Sequence, residues 1–250
     1  MVQSLTIVEK EYVLSEKIDE TPEVLTIRFR PSDNAIVPFD PGMFFMISGI
    51  DSENKKHMAK SFSIASDPSS AEMEFYIVKR SHVGTSIEHT SHFVESNIGD
   101  RYYIKGPYGQ FRFDPSENKK VLFVAGGTGI APFVSMLRHI KALKSGNDVD
   151  MLYSIKYPTE IIRKPELEAY ARELGLKTTI TVTRPQPGDK WNGETGHVNA
   201  GMIKRHSPDV VERTCYICGP PAFVKAVKDA LISLSVKPER ISADVWDTGI

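Results

Sequence analysis

Residues 121–143, VLFVAGGTGIAPFVSMLRHIKAL, constrain this chain more than any other stretch. Val121, Leu122, Phe123, Val124 and Ala125 form an unbroken apolar run of the kind buried on both faces inside parallel sheets. The run ends in Gly126-Gly127-Thr128-Gly129. Ile130, Phe133, Val134, Leu137, Ile140 and Leu143 then recur at helical spacing. The pattern predicts strand, glycine turn, helix. A first helical turn has backbone N–H groups with no intrahelical partner and carries the positive end of the macrodipole, so it favours an anion. Glycines there let a pyrophosphate approach the backbone without a Cβ clash. Gly127-Thr128-Gly129-Ile130-Ala131-Pro132 is a partial dinucleotide fingerprint, with Pro132 where a third small residue is expected. Proline is itself suited to a first helical turn. The same residues would also make a plain glycine turn ahead of a packing helix, so the turn alone leaves both readings open.

The 250 residues allow one large domain or two ordinary ones, and 40% hydrophobic with 25% charged residues is the balance of a globular protein. A formal net charge of −1 argues against a nucleic-acid surface, which needs a basic excess. No signal-peptide pattern opens the sequence and no apolar run is long enough to span a membrane, so a cytoplasmic protein is expected.

Before position 114 the hydrophobic period is near two, and the segments 5–14, 23–29, 44–50, 60–64, 73–79 and 101–105 read as strands between turn-rich clusters. Many short strands without a long helix predict an antiparallel barrel or sandwich, interrupted by one short helix over 84–94. After a polar linker at 115–120 the texture changes. Apolar strands at 121–125, 149–155, 178–183 and 214–218 alternate with helical patterns at 130–143, 164–173, 199–204 and 221–234, and 240–246 reads as a last strand. That alternation predicts a doubly wound α/β domain over 121–250, with ligands at the carboxyl ends of its strands.

In the first half, Lys60-Ser61-Phe62-Ser63-Ile64-Ala65-Ser66 combines a cation, an aromatic and a hydroxyl on one strand. A flavin dinucleotide uses those groups for its pyrophosphate, its ring and its redox-active nitrogen. An exposed lysine beside a core phenylalanine explains the segment equally well. Gly84-Thr85-Ser86 ahead of the short helix suits a second anion cradle or a plain N-cap. Cys215 and Cys218 lie an odd number of residues apart on a strand, so they should face opposite sides of the sheet. Two ligands do not complete a tetrahedral metal site, and His197 and His206 lack the spacing to complete it, so no metal is expected.

Taken in order, these motifs resemble the ferredoxin–NADP reductase superfamily along essentially the whole chain. KSFSIAS is similar to that family's flavin motif, GTS to its second flavin phosphate contact, and GPYGQF at 106–111 to its barrel-end turn. GGTGIAP and CGPPAF are similar to its two nicotinamide-nucleotide motifs. The resemblance implies a flavin-binding six-stranded antiparallel β-barrel over 1–114, followed by the α/β nucleotide domain. It implies flavin contacts from Lys60, Ser61, Phe62 and Ser63, from the backbone of Ile77, Val78 and Lys79, and from Gly84, Thr85 and Ser86. It further implies nucleotide contacts from Gly127, Thr128, Gly129, Cys218, Gly219 and Pro220, with Ser63, Cys218 and Asp244 lining the hydride-transfer contact. Trp246 would cover the flavin, although four residues follow it where relatives often end near an aromatic. Lys60 stands where the family usually has arginine and cannot make a bidentate fork with phosphate, which leaves FMN open beside FAD.

The activity so implied is hydride transfer between NAD(P)H and a flavin, with electrons passed to a carrier such as ferredoxin or flavodoxin. The second α/β strand ends without a ribose-binding acid, whereas Thr183 and Arg184 end the third, which favours NADPH over NADH. Two alternatives stay in view: the reductase component of an oxygenase or larger redox complex, and a non-catalytic flavin- or nucleotide-binding module.

Overall fold

A computed structural model describes residues 5–50, 53, 55–79 and 88–245. In the amino-terminal half the elements are β1 (Val8–Thr21), β2 (Val24–Pro31), β3 (Phe44–Gly49), β4 (Lys60–Ser63), β5 (Met73–Val78), α1 (Glu88–Glu95) and β6 (Arg101–Tyr108). The six strands form one antiparallel sheet in the order β4-β3-β6-β1-β2-β5. The sheet curls into a nearly closed barrel, and the Ala65 N–H donates to the Glu74 carbonyl at 2.9 Å where the two end strands approach. Alternation sends Tyr12, Leu14, Ile27, Phe29, Phe45, Ile47 and Phe75 inward to form the barrel core. Phe29, Phe45, Phe75 and Tyr102 meet there in tilted and edge-to-face pairs, the arrangement that ring quadrupoles favour.

The first strand is longer than its hydrophobic alternation predicts. It continues to Thr21 through Ser15, Glu16 and Lys17, because β2 stays paired with it from Tyr12 opposite Pro31 to Thr21 opposite Val24. The register shifts between Leu14 and Glu16, and the Ser15 hydroxyl donates to the Arg28 carbonyl at 3.2 Å. A bulge with polar residues on it hides a strand from its period.

The carboxy-terminal half contains β7 (Lys120–Gly126), α2 (Ala131–Leu143), β8 (Asp148–Ile155), α3 (Lys164–Glu173), β9 (Lys177–Val182), β10 (Glu194–Thr195), α4 (Ala200–His206), β11 (Thr214–Gly219), α5 (Pro221–Ser233) and β12 (Ile241–Val245). Its strands are parallel, in the order β10-β9-β8-β7-β11-β12. The two-residue β10 is invisible to periodicity; Glu194 opposite Thr181 and Thr195 opposite Val182 define it. Helices α2 and α3 cover one face of the sheet and α4 and α5 the other, as a doubly wound fold requires. The linker is tied down rather than slack: the Asn147 side-chain amide donates to the carbonyls of Pro115 and Asn118, each at 2.8 Å.

The two halves share a core. Val24, Ala65, Tyr76, Phe111 and Phe113 from the amino-terminal side join the apolar cluster of β7, α2 and α3. Beside it, the buried Glu74 carboxylate on β5 meets Arg28 of β2 at 2.7 Å, Arg138 of α2 at 3.0 Å and Arg163 at the start of α3 at 2.7 Å.

Candidate functional site

Strand order in the parallel sheet reverses between β7 and β11, whose connections leave in opposite directions; in open α/β sheets the ligand crevice lies at the carboxyl ends of two such strands. Both glycine motifs are there. Strand β7 ends at Gly126, and Gly127–Ile130 forms a 3-10 turn that runs directly into α2. Gly127 has φ of +56° with open space around the position a Cβ would take, so backbone conformation requires glycine there and the space in front remains clear. Gly129 is required for a different reason: a Cβ would stand 2.4 Å from the Cys218 carbonyl oxygen. The two motifs are therefore in backbone contact. Neither the turn nor the first turn of α2 carries an acidic residue, so nothing offsets the N–H groups and the dipole at that end.

Across the crevice, β11 ends at Gly219, and Pro220 and Pro221 lead into α5. Prolines carry no N–H, so this helix start is a poorer anion site than the first. It offers a flat surface instead. The Phe223 ring packs against Gly126 and Gly219, where Cβ atoms would lie 3.0 and 2.7 Å from it. Phe223 closes the CGPPAF motif without an individual role assigned from sequence; two glycines ending neighbouring strands leave room for its ring.

The thiol of Cys218 is fully buried and belongs to the α2-side cluster, whereas Cys215 belongs to the α4- and α5-side cluster. The cysteines thus occupy opposite faces of the sheet, as their odd spacing requires. Cys218 is opposite Asp244 in the parallel register, with Sγ 3.8 Å from Oδ2. Burial, and then the adjacent carboxyl, push the Cys218 thiol well above its ordinary range. Burial likewise raises the Asp244 carboxyl, against the hydrogen bond from Cys218. The Cys218 side chain is thus not open to the crevice; its carbonyl, against Gly129, is what borders it.

In the barrel, β4 is an end strand. Phe62 is opposite the buried Phe45, half-buried against the barrel core and edge-to-face with Phe93 at 5.5 Å. Ser61 is exposed, Ser63 is half-buried opposite Phe44, and Lys60 pairs with no acid among the described residues. On β5 the backbone expectation narrows. The Lys79 N–H donates to the Glu23 carbonyl at 2.8 Å, and antiparallel ladders alternate bonded and non-bonded pairs. Ile77, opposite Leu25, therefore bonds to β2 as well, and Val78 alone of the three directs its N–H and C=O to the free edge. The Lys79 ammonium is taken by Asp19 at 2.6 Å and the Thr21 carbonyl at 3.1 Å. Gly84, Thr85, Ser86 and Trp246 lie outside the described residues.

Two strands along the sheet from β7, Arg184 follows β9 and its N–H donates to the Lys156 carbonyl at 2.9 Å. Lys156 follows β8. Both side chains are exposed cations without an acid partner among the described residues. The Thr183 hydroxyl donates to the Ile155 carbonyl at 3.2 Å, and the Glu160 carboxylate accepts from the N–H groups of Lys156 and Tyr157. Among the described residues no group of three His, Cys, Asp or Glu could hold a metal ion. No described helix is long and apolar enough to cross a membrane.

Residues 123–229 match a family described as an oxidoreductase NAD-binding domain. An NADH-cytochrome b5 reductase 1 of Aspergillus terreus is 29% identical over 242 residues, covering 92% of this chain and 79% of that protein. A glycine betaine monooxygenase reductase subunit of Pseudomonas aeruginosa is 31% identical over 218 residues, covering 86% of this chain; the chain spans 58% of that subunit's length. Among solved structures, the ferredoxin reductase in carbazole 1,9a-dioxygenase superposes with a TM-score of 0.83 over 98% of this chain and 71% of its own, at 22% identity, which is a likeness of fold.

Proposed function

We propose that the chain is a member of the ferredoxin–NADP reductase superfamily, a flavin-dependent NAD(P)H oxidoreductase that delivers electrons to a protein redox partner. The observation that carries this reading is the junction of the two glycine motifs at the crevice between β7 and β11, with one helix start rich in free N–H groups and the other closed by prolines.

The residues fit both groups. Gly127, Thr128 and Gly129 present the clear, positively polarised turn that a nucleotide pyrophosphate needs. Gly219, Pro220 and the Cys218 backbone form the flat wall for a nicotinamide, with Asp244 behind the Cys218 thiol. On the barrel side, residues 1–114 would hold FAD through the free cation of Lys60, the open face of Phe62, the Ser61 and Ser63 hydroxyls and the free backbone edge at Val78. FMN is the smaller alternative, since Lys60 offers phosphate a single point charge. A bound flavin supplies the hydride-accepting centre that converts two-electron into one-electron transfer. The protein's part is orientation: it brings the nucleotide wall to near-attack distance from the flavin strand and keeps water out.

Cofactor choice follows from the cations. Lys156 and Arg184 end adjacent strands where an NADH enzyme of this topology places an acid, so we assign NADPH as the preferred donor. The Aspergillus relative is named for NADH, which makes NADH the competing outcome. As partner we favour a small carrier such as ferredoxin or flavodoxin. The Pseudomonas relative, named as a monooxygenase reductase subunit, supports the second reading, an oxygenase component.

The test is a visible spectrum of the purified protein, followed by anaerobic addition of NADPH and NADH separately. A flavin spectrum bleached by NADPH at lower concentration than by NADH is the expected result, with the preference reduced in Arg184→Ala. Protein that takes up neither FAD nor FMN would end the reading. Equal bleaching by both nucleotides in native and Arg184→Ala protein would remove Arg184 from cofactor choice.

A further inference from the structure

Helix α2 starts at the nucleotide turn, and three of its side chains reach the chain segment that leaves the flavin strand. The Ser135 hydroxyl, fully buried, donates to the Ser66 carbonyl at 2.6 Å. One turn on, Arg138 donates to the Ala65 carbonyl at 2.9 Å, and His139 meets the Asp67 carboxylate at 3.0 Å. Ala65 and Ser66 are the last two residues of KSFSIAS, one residue beyond the end of β4. Arg138 is itself held on both sides. It pairs with the Glu166 carboxylate through two nitrogens at 2.8 and 2.9 Å, and with Glu74 at 3.0 Å. Glu74 closes the loop through its backbone: its carbonyl accepts from the Ala65 N–H at 2.9 Å and its N–H donates to the Ser66 hydroxyl at 2.7 Å.

We propose that Ser135 and Arg138 are positioning residues for hydride transfer, which set the flavin strand at a fixed distance and angle from the nucleotide turn. The proposal rests on the flavoprotein reading above. The physical reason is leverage. A helix is stiff along its hydrogen-bonded axis, so a bar with the Gly127 turn at one end and the Ala65 and Ser66 carbonyls along its side couples the two sites without touching either ligand. Arginine suits the task because its planar fork satisfies a bidentate carboxylate and a carbonyl at once, which a lysine cannot do. Both carbonyls are buried away from water, so loss of either donor leaves an acceptor unpaired and gives the segment a reason to move. Misplacement by about 1 Å in a near-attack arrangement is enough to slow transfer by about a hundredfold.

A second ion-paired arginine, placed in the other half of the molecule, provides a control. Arg213 is 2% exposed and pairs with Asp148, Asp150 and Asp209, wholly within the carboxy-terminal half. None of these partners belongs to the flavin segment, so its removal reports what a general loss of stability does to the reaction.

The experiment compares Ser135→Ala, Arg138→Met, Arg138→Lys and Arg213→Met with the native full-length chain, well below their melting temperatures. Four quantities are read: the Kd for FAD, the rate of anaerobic flavin bleaching at saturating NADPH, the long-wavelength charge-transfer absorbance on mixing, and hydrogen exchange of the peptide covering 60–67. The expected result is near-native FAD affinity in every variant. Bleaching is slowed about ten- to a hundredfold in Arg138→Met, with weaker charge-transfer absorbance, and less in Ser135→Ala and Arg138→Lys. Exchange over 60–67 is faster in these three variants alone, and Arg213→Met bleaches at the native rate. Native bleaching rates in flavin-loaded Arg138→Met and Ser135→Ala would overturn the proposal, as would equal slowing in Arg213→Met. If Arg138→Met does not fold, Ser135→Ala decides. A native protein that binds no flavin refutes the functional reading separately; the exchange data on the apoprotein then decide whether Arg138 holds the segment, and unchanged protection over 60–67 counts against it.

Discussion

Cys215 and Cys218 are the residues whose chemistry differs most from what their letters suggest. A Cys-x-x-Cys spacing invites a redox or metal reading, yet strand geometry sends the two side chains to opposite faces and into separate cores. Burial pushes the Cys215 thiol up to about 12, against the lowering influence of Arg213 and Arg240. Cys218 is raised as well, by its burial and then by the adjacent Asp244 carboxyl. A thiol is reactive only as thiolate, so both should be inert in the folded protein. In a titration with a chromogenic disulfide reagent at about pH 8, neither is expected to react before unfolding and both should react rapidly after it. One fast thiol in native protein would show that the crevice admits the reagent to Cys218. The same burial assigns Cys218 a steric and backbone part in the site, its carbonyl setting how closely Gly129 can approach.

At the scale of elements, the glycine turn separates two demands that a motif string merges. Gly127 needs its residue type for φ of +56°, with empty space beyond, whereas Gly129 needs it because the Cys218 carbonyl occupies the place of a Cβ. Gly127→Ala should cost about 1 kcal/mol, the ordinary penalty for a left-handed alanine. Gly129→Ala must push β11 away from the turn, an overpacking cost of about 1–3 kcal/mol, and should also weaken nucleotide binding by separating the two motifs. Urea unfolding and nucleotide titration of the two variants distinguish these effects, and equal losses in both would refute the separation. This turn and α2 could be read directly, since a run of apolar residues, a glycine cluster and a 3.6 period are local signals. Other features depend on partners far away in sequence. Residues 15–21 of β1 become strand only because β2 pairs with them, and β10 exists only against β9. Which of Ile77, Val78 and Lys79 shows its backbone to a ligand depends on the parity of pairing with β2. Likewise nothing near Arg138 separates it in the sequence from a solvated cation on a helix; its partners Ala65, Glu74 and Glu166 are 73, 64 and 28 residues away.

For the whole molecule, the decisive feature is that its two halves are joined by charge as well as by apolar packing. Glu74 is at the centre, its side chain 3% exposed, within reach of Arg28, Arg138 and Arg163 and accepting from the Tyr76 hydroxyl at 3.0 Å. Burial alone would raise its carboxyl; the guanidiniums of Arg138, Arg163 and Arg28 outweigh that and hold it below the ordinary carboxylate range. Glu166, half-buried and bonded to Arg138, is lowered for the same reason. A carboxyl whose folded-state value is depressed contributes stability that is fully present above its unfolded value, and that is lost as pH falls through the folded one. The join between the halves should therefore weaken in acid, with no counterpart on the alkaline side from these two groups. Glu74→Gln tests this cleanly, because glutamine keeps the shape while removing the charge. It leaves the half-buried guanidiniums of Arg28, Arg138 and Arg163 with one counter-charge fewer, and the expected loss near neutral pH is about 1.5–3 kcal/mol. Protonation makes the native side chain resemble the variant, so the difference should shrink below about pH 4 and vanish once Glu74 is protonated. Urea unfolding of both proteins from neutral pH downward measures it. A stability gap that stays constant across that range would mean that Glu74 acts through shape and packing, and that charge does not hold the halves together.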